Sequence, residues 1–148
     1  MRKLKRSLTI ITVLAALALL VGACDDTLEV FHAYSFDLVT MPVQESLREG
    51  QTAEIRCTLV REGEYKNAEF FIRMFQPDGE GELRMDDSTV FLPNDLYPLE
   101  KTEFRLYYTS RCSDQQTIDV YIQDNFGQVV QKTFSWQDKR ASEDITDK

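Results

Sequence analysis

A single histidine, His32, stands in the whole chain, with no nucleophile signature around it. A catalytic triad or a zinc site draws on more than one such group, and no catalytic residue, metal or cofactor is expected. Cationic groups are also short, with 17 Lys+Arg against 25 Asp+Glu and a formal net charge of −8. That shortage argues against DNA binding through phosphates, which needs a basic footprint. Beyond the first residues there is no apolar stripe at helical spacing. The one apolar run, Leu8 to Val21, is shorter than the roughly 20 residues of a spanning helix.

That run follows Arg2, Lys3, Lys5 and Arg6 and ends in Leu20-Val21-Gly22-Ala23-Cys24. A basic region, an apolar region and small residues before a cysteine make a secretory signal with a lipobox. Residues 1–23 are therefore expected to be removed and Cys24 to carry lipid, which holds the protein to a membrane. The mature chain of 125 residues keeps thirteen Lys+Arg and all 25 acids, a formal net charge of −12. Its attachment rests on acyl chains, each buried CH₂ contributing about 0.8 kcal/mol. Residues 24–33 read as a spacer. Its acids Asp25 and Asp26 resemble the surface-export signal of Bacteroidetes lipoproteins, which leaves either face of the outer membrane open.

From Tyr34 the period is two. Tyr34, Phe36 and Leu38 alternate with polar residues until Pro42, which marks an edge or a switch between sheets. Val43 to Leu47, Ala53 to Leu59, Ala68 to Phe75, Leu83 to Met85, Thr89 to Leu92, Phe104 to Tyr108, Ile118 to Ile122 and Val129 to Trp136 continue the pattern. Pro77-Asp78-Gly79 and Asp124-Asn125-Phe126-Gly127 supply turns. This predicts an all-β fold, an immunoglobulin-like antiparallel β-sandwich of about seven strands over residues 34–137. The charged tail, 138–148, has no apolar period and is read as disordered.

Cys57 and Cys112 are the remaining thiols, in a chain directed to an oxidising space. They form a candidate disulfide of the sheet-to-sheet kind. Against it, Cys57 lies mid-strand while Cys112 lies past the end of the Phe104 strand, and a disulfide spans only about 7 Å between Cα atoms. The alternative is a buried thiol and a loop thiol. The acids Asp78, Glu80, Glu82, Asp86 and Asp87 alternate as in calcium loops, but Leu83 and Thr89 stand where an EF-hand needs Gly and Glu, so they read as a solvated hairpin.

Phe71, Arg73 and Phe75 share one strand face, and Tyr107 and Tyr121 are assigned to another. Aromatics with arginine are enriched in interface centres, and these five residues are the candidate partner surface. A covering loop, Pro93 to Pro98, is the alternative account.

The segments Met41–Gln44, Thr52–Gly63, Phe75–Gly79, Leu92–Lys101, Phe104–Ser110 and Asp114–Phe134 resemble the TraQ family of lipoproteins encoded on conjugative transposons of Bacteroidales. The resemblance implies an immunoglobulin-like, non-enzymatic accessory part of the mating apparatus, with other transfer proteins as partners. It supplies no catalytic or ligand residue, and only Cys24 carries over. No small-molecule ligand is predicted by this reading. The rival is a surface module binding glycans, with Tyr107, Tyr121 and Trp136 exposed for stacking.

Overall fold

The computed structural model describes residues 34–64 and 66–138, and every described element is a strand. In order these are β1 (Phe36–Thr40), β2 (Ser46–Leu47), β3 (Thr52–Arg61), β4 (Phe70–Asp78), β5 (Gly81–Met85), β6 (Tyr97–Pro98), β7 (Glu103–Ser110), β8 (Gln116–Asp124) and β9 (Val129–Asp138). Two of them, β2 and β6, are only two residues long. Alternation is the cause of the rest. Along β3, Ala53, Ile55, Cys57 and Leu59 are buried while Glu54, Arg56, Thr58 and Val60 are exposed. A pleated strand sends successive side chains to opposite faces, so such a segment has one stable register on a core.

Two sheets result, one ordered β1-β3-β7-β5 and the other β2-β9-β8-β4-β6. All pairings are antiparallel except β2 with β9. Pro42 is the switch point: β1 belongs to the first sheet and β2 to the second. The expected strand from Val43 shrinks to Ser46–Leu47, and the one from Thr89 to a single bridge between Val90 and Arg84. The seven longer strands make an all-β sandwich. Leu38, Ile55, Leu83 and Leu106 of the first sheet meet Ile72, Ile118, Val120 and Ile122 of the second in one core.

Trp136 belongs to that core and is only 1% exposed, which corrects its expected place on the surface. Along β9 the even-numbered positions turn inward, and Trp136 shares that parity with Val130 and Phe134. Its ring stacks on Tyr108 at 4.6 Å between centroids and 4° between planes.

Tyr108 reaches a polar chain threaded through one end of the sandwich. Gln76 Nε2 donates to Tyr108 Oη at 2.7 Å, and Tyr108 Oη donates to Gln116 Oε1 at 2.8 Å. Gln116 Nε2 donates to Ser110 Oγ at 2.9 Å, which donates to the Cys112 carbonyl at 2.9 Å. Buried polar groups persist where their partners are complete. The β4–β5 turn makes the room: Gly79 has φ +75°, and a Cβ on Gly81 would overlap the Tyr108 ring. Burial pushes the Tyr108 phenol up to about 12.

Candidate functional site

The outer faces of the two sheets differ in kind. Outside the first sheet lie Glu54, Arg56, Glu82, Arg84, Glu103 and Arg105, and four of these charges are ion-paired. Glu54 accepts from Arg56 Nε at 2.8 Å and sits 3.5 Å from Arg105 Nε, and Arg111 binds Glu82. The hydrogen bond from Arg56 holds the Glu54 carboxyl below its ordinary range. Exposed pairs of this sort add little to stability, because solvent screens them. Tyr107 is on this side, with the Arg84 guanidinium 5.7 Å above its ring.

Outside the second sheet the residues are mainly aromatic and uncharged polar, with Arg73 and Asp119 as the charges among the strand positions paired there. Register places Arg73 beside Tyr121 and Tyr121 beside Gln131, then Phe75 beside Asp119 and Asp119 beside Thr133. Phe71 stands beside Gln123, which faces Val129. Thr133 Oγ1 donates to Asp119. Arg73 lies 4.8 Å over the Tyr121 ring, a cation–π contact. Its Nε is buried with no hydrogen-bond partner. Phe75 is 41% exposed.

Four of the five expected surface residues, Phe71, Arg73, Phe75 and Tyr121, thus come together on one face. Tyr107 does not, because β7 and β8 lie in different sheets. Tyr107 and Tyr121 point out of opposite sides of the sandwich, which corrects their assignment to one face. The Pro93–Pro98 segment runs along the edge of β4 and leaves its face open. Asn94 N–H donates to the Met74 carbonyl at 2.8 Å, β6 pairs with Phe71 and Ile72, and Leu99 N–H donates to the Phe70 carbonyl at 2.8 Å. Beside Phe71 this loop leaves a groove of about 450 Å³ lined by Leu59, Arg61, Phe70, Leu99 and Lys101 among others. Its charged lining carries both signs, Arg61 and Lys101 with Glu69 and Glu100.

Both remaining cysteines are free thiols, so the candidate disulfide is not formed. Cys57 pairs with Phe104, and Cys112 lies eight residues further along, roughly 26 Å at strand spacing. Cys112 Sγ instead accepts the Glu80 N–H at 3.1 Å. Burial pushes the Cys57 thiol up to about 12. We expect Cys112 to alkylate in the native protein and Cys57 only on unfolding, read by mass spectrometry. Equal native labelling would contradict the burial of Cys57. The sign for stability follows. Both Cys57 and Tyr108 are held protonated by the fold, so the Cys57 contribution is complete below about pH 9 and the Tyr108 contribution below about pH 10, and both are lost as pH rises toward 12.

No group of three or more His, Cys, Asp or Glu positioned for a metal occurs among the described residues. Cys24 and His32 lie outside them.

A family model described as TraQ conjugal transfer protein matches residues 7–139. The chain belongs to the TraQ conjugal transfer protein family. Three solved structures share the TraQ domain's fold. A lipoprotein from Bacteroides thetaiotaomicron is 52% identical, with 82% of this chain and 94% of that one covered and a TM-score of 0.69. A conjugative transposon lipoprotein from Bacteroides eggerthii is 42% identical, covering 68% and 95%, with a TM-score of 0.66. A conjugate transposon protein from Bacteroides vulgatus is 40% identical, covering 77% and 93%, with a TM-score of 0.65. No curated protein matches the chain. TraQ membership makes this a component of conjugative transfer, and the resemblance read from Leu92–Lys101 and Asp114–Phe134 led to the same family.

Sequence reading missed the Gln76-Tyr108-Gln116-Ser110 chain. Its signal was Gln116 sharing parity with Ile118, Val120 and Ile122, a polar residue on an inward face.

Proposed function

We propose that this TraQ protein is a lipid-anchored, non-enzymatic scaffold of the mating apparatus, held to the outer membrane through Cys24. The aromatic face centred on Arg73 meets another transfer protein. The carrying observation is that Arg73 lies among Phe71, Phe75 and Tyr121 with its Nε buried and unpaired. Interface centres have this composition, aromatic and arginine-rich with other charges depleted. Family membership supplies the setting, and the lipobox together with relatives described as lipoproteins supports the anchor. An immunoglobulin-like topology is supported by the order of the seven longer strands, which follows the A-B-E-D and G-F-C arrangement.

The test is transfer frequency of the mobile element with this gene deleted and restored by variants. Wild type should recover transfer and Cys24→Ala should not. Arg73→Glu should lower transfer about tenfold at unchanged protein level, the size of one hot-spot loss. Unchanged transfer in the deletion overturns the scaffold reading. Full activity of Arg73→Glu moves the partner surface elsewhere.

A further inference from the structure

Exposed strand edges invite pairing, and folded proteins blunt them. Three of the four edges here are blunted among the described residues. On β1, the outward Leu38 N–H is taken by Asp37 Oδ1 at 2.8 Å. Against β5 the chain returns, with Met85 N–H to the Thr89 carbonyl at 2.9 Å and Phe91 N–H to the Leu83 carbonyl at 2.9 Å. The edge of β4 carries β6 and the Pro93–Leu99 segment.

The fourth edge is β9, and its only strand neighbour on that side, β2, reaches just Gln137 and Asp138. Val129 to Ser135 has no hydrogen-bonded strand there, although β1 approaches it closely enough for Asp37 to meet Lys132 at 3.4 Å. In an antiparallel ladder, residues turn their N–H and C=O alternately to one side and the other. At the hairpin Asp124 N–H donates to the Gln128 carbonyl at 3.0 Å, so even-numbered positions of β9 bond β8. Gln137 N–H turns the other way, donating to the Glu45 carbonyl at 2.9 Å. Gln131, Thr133 and Ser135 therefore present their main-chain groups outward. Beside them runs a groove of about 380 Å³ between Thr133–Trp136 and Thr40–Glu45.

From this we infer that β9 pairs with β9 of a second copy of this chain, antiparallel about a two-fold axis at Thr133. The argument for a second copy is self-complementarity. In that register Thr133 faces Thr133 and Gln131 faces Ser135, pairs of hydroxyls and amides that favour cross-strand contact. Lys132 faces Phe134, so no like charges oppose, and Lys132 is already neutralised by Asp37 at 3.4 Å. The three outward residues of each copy exchange about six main-chain hydrogen bonds. Such an isologous contact closes after two copies. It also joins the two Arg73 faces into one continuous sheet, without depending on what those faces bind.

The test is disulfide trapping in the envelope, using the full-length protein carrying Cys112→Ser and a mild oxidant. An antiparallel hydrogen-bonded pair has Cα atoms about 5.5 Å apart, within disulfide reach. Thr133→Cys should give a covalent homodimer on a non-reducing gel. Gln131→Cys should give about tenfold less, because the two copies of residue 131 lie roughly 14 Å apart. Adding Gln131→Pro, which removes an outward N–H while sparing the β8 ladder, should abolish trapping of Thr133→Cys. Absence of a Thr133→Cys dimer, equal trapping at both positions, or capture of a different protein in its place overturns the inference. None of these outcomes reads transfer, so failure here is separable from failure of the scaffold reading.

Discussion

Trp136→Ala lowers the free energy of unfolding by about 4 kcal/mol, the usual range for removing a fully buried tryptophan. The loss has two sources. The indole's apolar area leaves the core, and its 4.6 Å stack with Tyr108 and its neighbour Phe134 lose their contact. Urea titration by far-UV circular dichroism is the measurement, because Trp136 is the only tryptophan and the variant has no intrinsic fluorescence of that kind. The midpoint should fall with an unchanged slope. Tyr121→Ala, on the outer face, should cost under about 1 kcal/mol. A Trp136→Ala loss as small as that of Tyr121 would return the indole to the surface and restore it as a stacking platform for sugar rings.

Gly81→Ala costs about 3 kcal/mol, near the top of the range for overpacking. The added Cβ falls inside the van der Waals shells of Tyr108 Oη, Cζ and Cε2. That ring cannot step aside easily, since Gln76 and Gln116 hold its hydroxyl and Trp136 covers its face. Gly50→Ala is the comparison. Its φ is +82° but nothing lies within 4 Å of the new Cβ, so only backbone strain of roughly 1–2 kcal/mol remains. Gly81 has no positive φ, so destabilisation no greater than that of Gly50→Ala by thermal melting would show that the Tyr108 ring yields to the added Cβ.

The strands were legible because alternation is written along each one: a run such as Ala53-Glu54-Ile55-Arg56-Cys57 has one inward face whatever it packs against. What lies beside what was not legible. Phe71, Arg73 and Phe75 share a strand, so their common face followed from parity. Tyr107 and Tyr121 sit on separate strands, and the sheet each joins is decided by pairing, which period two does not encode. The thiols were partly legible: Cys57 mid-strand and Cys112 past the end of its strand already spoke for a buried thiol and a loop thiol, and the register of β3 against β7 fixes their separation. Trp136 was misplaced although its parity with Val130 and Phe134 was available, because the strand's outward Val129 and inward Lys132 blurred the alternation. The Gln116 chain needs three strands and a turn at once.

The crossing of the chain at Pro42 has a mechanical side. A pull on the residues ahead of Tyr34 is delivered along β1, whose five residue pairs to β3 run across the line of force. Beyond Pro42 the chain continues into β2, bonded to β9 of the other sheet. For a load borne on the β4–β8 face, those bonds must slide and break together instead of opening one by one from an end. The time the domain survives under such tension is set by its unfolding rate, not by its equilibrium stability.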